Sequence, residues 1–150
     1  MTVDEFWGEF LASAGIDGST KYIDAFHFAV GEEWANKLLD LALSGKKKAT
    51  TSAAAAFERS GIPLPKPGDY SVVTDWAGNP RCVIQTTAVA VMPFNEMTFA
   101  LCGREGEDDT LGSWQDGHRR FFAEEGRALG YGFSETMPVV FEDFKVVFIK

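Results

Sequence analysis

Apolar residues recur at three- and four-residue spacing in three stretches of the chain, and alternate along others, so two periods divide it into helices and strands. Phe6, Trp7, Phe10 and Leu11 form the first helical stripe. Thr2-Val3-Asp4-Glu5 ahead of it fits the pattern in which a hydroxyl and a carboxylate satisfy the free N–H groups of a helix start, and Gly15 supplies the stop. A second stripe, Trp34, Leu38, Leu39 and Leu41, predicts a helix from Glu32 to Ser44. Glu32 and Glu33 suit its N-terminus and Gly45 its end. A third carries Leu111, Trp114, His118, Phe121 and Phe122 behind Thr110, which has the chemistry of a helix cap. Shorter signals predict a helical turn over 53–59 and a short helix from Asn95 through Leu101.

Strand character is weak at Phe26, Phe28 and Val30, and clear at Tyr70–Asp75 and Arg81–Val91. Trp76-Ala77-Gly78-Asn79-Pro80 supplies a turn between those two, so they predict a hairpin. Residues Val139–Ile149, with Phe144, Val146 and Phe148 alternating, close the chain as one or two strands. With no internal repeat and no linker, 150 residues form one α+β domain: a small sheet or barrel in the second half, with helices packed at its ends.

Composition narrows the partners. A formal net charge of −8 argues against long duplex DNA, whose phosphates need a basic face. No apolar run approaches the roughly 18–20 residues of a membrane helix, and the acidic start Met1-Thr2-Val3-Asp4-Glu5 lacks the basic region of a secretory signal. A cytoplasmic protein is expected, with Cys82 and Cys102 as reduced, buried thiols. Cysteine and histidine spacing offers no metal site, and no cofactor is expected.

Positive charge is concentrated in Gly45-Lys46-Lys47-Lys48-Ala49-Thr50-Thr51-Ser52. Lys47 and Thr50, three apart across a helix exit, are spaced to converge. A threonine hydroxyl attacks a carbonyl when a base takes its proton or a cation holds the oxyanion, and lysine can do either. The acidic loop 105–109 offers a carboxylate to orient the pair and relay protons. The residues equally allow a solvated lysine run capping the helix and a solvated acidic loop. Trp34, Trp76 and Trp114 can stack on a base. Core packing suits Trp34 and Trp114 better, Trp76 beside its turn stays open, and His118 reads first as a packed or surface histidine. From residue chemistry alone the chain is a globular domain with a basic pocket.

Taken in order, these segments resemble the ASCH domain family. The matching features are the lysine–threonine stretch, similar to a G-x-K-x-x-T-x-S pattern, Pro67-Gly68-Asp69 before a strand, and the hairpin ending Ala88-Val89-Ala90-Val91. Phe99-Ala100 leading to Glu105-Gly106-Glu107, then Trp114, His118 and Phe122, and finally Val140-Phe141-Glu142-Asp143-Phe144 complete the set. The likeness runs over residues 26–148 and is greatest to the longer bacterial branch. It implies a PUA-like mixed or antiparallel β-barrel with flanking helices, filling residues 1–150 as one domain with 1–25 as a helical extension.

The resemblance also implies a cleft for RNA or modified nucleosides. Some bacterial relatives are amidohydrolases that remove acetyl from acetylated cytidine with a lysine, a threonine and a glutamate; another is described as a ribonuclease, and eukaryotic members are linked to transcriptional coactivation. Carried over, the catalytic set is Lys47, Thr50 and Glu107, with Glu105 as the other choice of acid. Lys46, Lys48, Ser52, Glu105, Trp76, Trp114 and His118 become substrate-binding positions, and the partner a modified nucleoside or short single-stranded RNA. A non-catalytic interaction module is the third reading. The longer branch usually has glycine where Asp108 stands, and the extra carboxylate counts against a polyanionic RNA across this loop.

Overall fold

A computed structural model describes residues 1–150. Helix α1 (Val3–Ala14) starts as its pattern predicts. The Glu5 N–H donates to the Thr2 hydroxyl at 3.1 Å, the Thr2 N–H donates to the Glu5 carboxylate at 2.7 Å, and left-handed Gly15 ends the helix. Its face of Phe6, Trp7, Phe10 and Leu11 packs on Val72 and Val83, sealing one side of a five-stranded sheet.

That sheet has the order β1-β3-β4-β5-β2. Strand β1 (Asp24–Phe26) runs parallel to β3 (Tyr70–Thr74). The other pairs are antiparallel: β3 with β4 (Pro80–Pro93), β4 with β5 (Pro138–Ile149), and β5 with β2 (Ala49–Ala53). Val139–Ile149 is therefore one strand, and the hairpin's second arm runs on to Pro93. Register shifts at Val83/Ile84 and Thr86/Ala88 bend the long β4–β5 pair, and the sheet curls into a half-barrel in a mixed α+β fold.

Side chains alternate across each strand, so the two faces meet different partners. Opposite α1, the face carrying Val73, Cys82, Ile84 and Phe144 packs on Phe28 and on helix α2 (Glu32–Leu43). The buried stripe of α2 is Ala35, Leu38, Leu39 and Ala42, which corrects the expectation for Trp34. That ring lies one position off the stripe and is 56% exposed. A third cluster joins Ala49, Ala53, Val139 and Phe141 to Phe94, Cys102, Trp114 and Phe122. It fixes helix α4 (Phe99–Cys102) and the long α5 (Leu111–Leu129), whose start is capped when the Ser113 N–H donates to the Thr110 hydroxyl. The short α3 (Ala54–Ser60) follows β2 directly.

Asn95 does not begin a helix. Phe94 and Asn95 donate their N–H groups to Met137 and Glu135 at 2.8 and 2.9 Å, extending the strand pairing, so only a 3-10 turn forms and α4 starts after Thr98. Cys82 and Cys102 are free and buried in different clusters, and burial pushes their thiols up to about 12 and about 11.

Candidate functional site

The lysine run leaves α2 in a tight exit, with the Lys46 and Lys47 N–H groups both donating to the Leu41 carbonyl. It then enters the sheet: the Lys48 carbonyl accepts from Phe144 N–H at 3.0 Å, and the Lys48 N–H donates to Arg104 at 2.9 Å. This extended path turns alternate side chains to opposite sides. Lys46 and Lys48 are exposed, whereas Lys47 is only 2% exposed. Its Nζ donates to the Ala49 carbonyl at 2.8 Å and to Glu107 Oε2 at 2.7 Å, stands 3.5 Å from Glu105 Oε1, and lies over the Phe28 ring at 5.0 Å.

Both carboxylates arrive on one loop, clamped to β5 by Arg104, which donates to Asp143 at 2.8 and 2.7 Å. Glu105 is 1% exposed and accepts from the Thr51 hydroxyl at 2.9 Å and Trp114 Nε1 at 2.6 Å. Gly106 lets the loop cross the lysine run. Its φ is +72°, and a Cβ there would lie 2.5 Å from the Lys46 carbonyl oxygen, closer than real Cβ atoms approach. Glu107 is more open than Glu105. Burial, reinforced by Glu105, holds its carboxyl above the ordinary range, against the opposing pull of Lys47. Asp108 accepts from the Ser113 hydroxyl at 2.6 Å, tying the loop to the start of α5.

Two neighbouring cavities of about 430 Å³ each open here. Lys47, Thr50, Thr51, Glu105, Glu107, Asp108 and His118 line the loop-side cavity, with Trp34 and Arg120 also on its wall. The sheet-side cavity takes Asp24, Ser52, Ser71, Glu125 and Glu142 among apolar neighbours. Thr50, Thr51 and the Phe28–Val30 segment belong to both.

The structure thus gathers Lys47, Thr50, Glu105, Glu107 and His118 around one cavity and puts Ser52 in the other. The His118 ring stacks on Trp114 with centroids 4.0 Å apart. Trp114 lines neither cavity: it is fully buried and supports Glu105 from beneath. Trp76 lies on the exposed β3–β4 turn against His27, and Lys46 and Lys48 point to solvent, so these three line neither cavity. Thr51, Asp24, Ser71 and Glu142 escaped the sequence reading, and Trp34, expected in the core, stands instead on the cavity wall. Glu142 left a signal, since it shares its strand face with Val140, Phe144 and Val146, an acid on an apolar stripe. No group of three or more His, Cys, Asp or Glu side chains is placed to hold a metal ion, and no helix is long and apolar enough to cross a membrane.

A family model described as ASCH domain matches residues 24–148. Among solved structures, a DUF984 protein from Enterococcus faecalis V583 is 34% identical, over 97% of this chain and 87% of that one, with a TM-score of 0.87. An ASCH domain from Lactobacillus crispatus JV V101 is 35% identical, over 95% of this chain and 91% of that one, with a TM-score of 0.82. No curated protein matches the chain.

Proposed function

The chain belongs to the ASCH domain family, and from that premise we propose that it is a hydrolase that removes an acyl group from the exocyclic amide of a modified nucleoside, with acetylated cytidine as the type substrate. The observation that carries this reading is the buried Lys47 ammonium, paired to Glu107, on the wall of a cavity that also holds the Thr50 hydroxyl. Thr50 is half-buried and lines both cavities, so its hydroxyl is placed to meet a ligand.

Thr50 Oγ forms a bond to the acyl carbon, and its proton passes to the Lys47–Glu107 pair. The carbon–nitrogen bond then breaks as that proton moves to the leaving amino group. Water hydrolyses the threonine ester, releasing acetate and restoring the hydroxyl. Glu107 suits the relay because burial raises its proton affinity towards the working range of a general acid–base, and the ammonium can stabilise the oxyanion. Glu105, held by Thr51, Trp114 and Lys47, positions the lysine.

Charge favours a small ligand over RNA. Glu105, Glu107, Asp108 and Glu124 line the loop-side cavity against Lys47 and Arg120, a poor bed for a phosphate backbone. The test is acetate release from acetylated cytidine by the purified protein. Thr50→Ala should lower turnover by roughly 1,000-fold or more with the fold retained. A parent protein without turnover, or a Thr50→Ala variant as active as its parent, refutes the hydrolase reading.

A further inference from the structure

The sheet-side cavity has an organisation of its own. Across the sheet order, Asp24 of β1 stands beside Ser71 of β3 in register, Thr86 of β4 holds Glu142 of β5, and Glu142 stands beside Thr50 of β2. One polar residue from each strand therefore crosses the face that is otherwise filled by Val73, Ile84 and Phe144. Four of the five, all but Thr86, line the cavity.

Ser71, Thr86 and Glu142 are buried, whereas Asp24 and Thr50 are half-buried. Ser71 is 4% exposed; no hydrogen bond within the protein engages its hydroxyl or those of Ser52 and Thr50, and since no fully buried side-chain polar atom lacks a partner, these hydroxyls open to the cavity they line. Glu142 is 8% exposed, with Oε2 bonded to the Thr86 hydroxyl and Oε1 left to the cavity. Polar atoms that line a cavity with no protein partner are placed to complete their hydrogen bonding with a ligand. Phe26, Phe28, Phe57 and Phe121 supply apolar walls, and no lysine or arginine lines the space. A flat, uncharged heterocycle fits that lining; a phosphate does not.

We propose that the sheet-side cavity seats a 4-aminopyrimidine base whose ring nitrogen accepts a hydrogen bond from Glu142, so that the acyl group on its exocyclic nitrogen reaches Thr50. The placement follows from register. Glu142 and Thr50 are directly paired across β5 and β2, roughly 5 Å apart at their Cα atoms. The acyl carbon is three bonds from the ring nitrogen that Glu142 reads. Burial pushes the Glu142 carboxyl up from its ordinary range, Asp69 and Asp24 add to the push, and Thr86 opposes it. Asp24 of β1 and Glu125 of α5 are the other acids lining this cavity, with His27 the one titratable base. A carboxyl kept protonated donates to the bare ring nitrogen of cytosine and finds no acceptor at the corresponding N–H of uracil.

The orientation rests on the amide-hydrolase reading, but binding is measured without turnover, by calorimetric titration of cytidine and uridine. The parent should bind cytidine about tenfold tighter or more. Glu142→Gln, whose amide also donates to the ring nitrogen, should keep that preference, and Glu142→Leu should lose it. Should Glu142→Leu not fold, Ser71→Ala is the second probe, expected to weaken cytidine about tenfold. Equal affinity for the two nucleosides, no binding of either, or a folded Glu142→Leu or Ser71→Ala variant that binds as the parent does, overturns the proposal. Acetate release without base preference sinks this inference alone. Preference without acetate release sinks the hydrolase reading alone.

Discussion

Lys47 and Glu142 flank Thr50 from its two cavities, both nearly inaccessible to solvent, and the protein treats them in opposite ways. Lys47 meets a carbonyl and two carboxylates, with Thr51 and Trp114 fixing the second carboxylate in turn. Glu142 meets one hydroxyl, has acids rather than bases for neighbours, and leaves an oxygen to the cavity. A buried charge with every partner in place is rigid before substrate arrives. A buried acid half-satisfied waits for a ligand to finish its bonding. The first arrangement suits chemistry and the second suits recognition.

The sharpest way to break the contrast is Lys47→Met. Without the ammonium, Glu105 and Glu107 are left facing each other out of water. Removing one partner of a buried pair costs about 3–5 kcal/mol, to be read as a lower unfolding free energy in urea. Adding Glu107→Gln should recover part of the loss. A single-variant cost below about 1 kcal/mol would show that the ammonium does not hold this loop together.

Gly106→Ala comes next. A side chain at φ +72° is strained, and this one also strikes the Lys46 carbonyl, so about 2 kcal/mol of stability should go. Turnover should fall with it, because the shift moves Glu107 off Lys47. A Gly106→Ala protein with parental stability and turnover would mean the loop adapts freely.

What could be read from the chain follows from the distance over which each feature is encoded. Local periodicity located α1, the hairpin and α5, since Phe6, Trp7, Phe10 and Leu11 declare a buried face by themselves. In α2 the apolar pattern sits one position off at Trp34, because a large ring weighs more in a stripe than Ala35 or Ala42, which are buried beside Leu38 and Leu39. Lys46, Lys47 and Lys48 are chemically identical. Only the extended path into β2 selects the middle one for burial, and the sequence motif flagged it through its spacing to Thr50. Asp24 and Ser71 are beyond such reading, and Glu142 shows only as an acid on an apolar stripe, because their row is assembled by register across strands far apart in sequence.

Glu142→Gln sharpens the contrast by its sign. The folded state raises this carboxyl above its ordinary value of 4.5, so the native protein retains a proton that the unfolded chain releases. The resulting stability is complete below the unfolded value and is lost as pH rises through the folded one. Glutamine has nothing to ionise. The variant should match its parent at about pH 4 and become more stable by about 1 kcal/mol towards neutral pH, measured by urea unfolding across the range. A flat difference with pH would show that burial at this position does not oppose ionisation.

The smallest effect belongs to the neighbours of Lys47. Lys46 and Lys48 point to solvent, so the double variant Lys46→Ala/Lys48→Ala should change stability by no more than about 0.5 kcal/mol and leave nucleoside turnover within about twofold. Both lysines line neither cavity, so a substrate must extend beyond one nucleoside to meet them. If turnover of the free nucleoside holds while an acetylated oligonucleotide loses rate, and the loss vanishes in added salt, the exposed pair steers a longer substrate towards the same threonine. If the free nucleoside itself slows by an order of magnitude, the cavity wall extends to these side chains, and the division between a buried working lysine and two solvated bystanders fails.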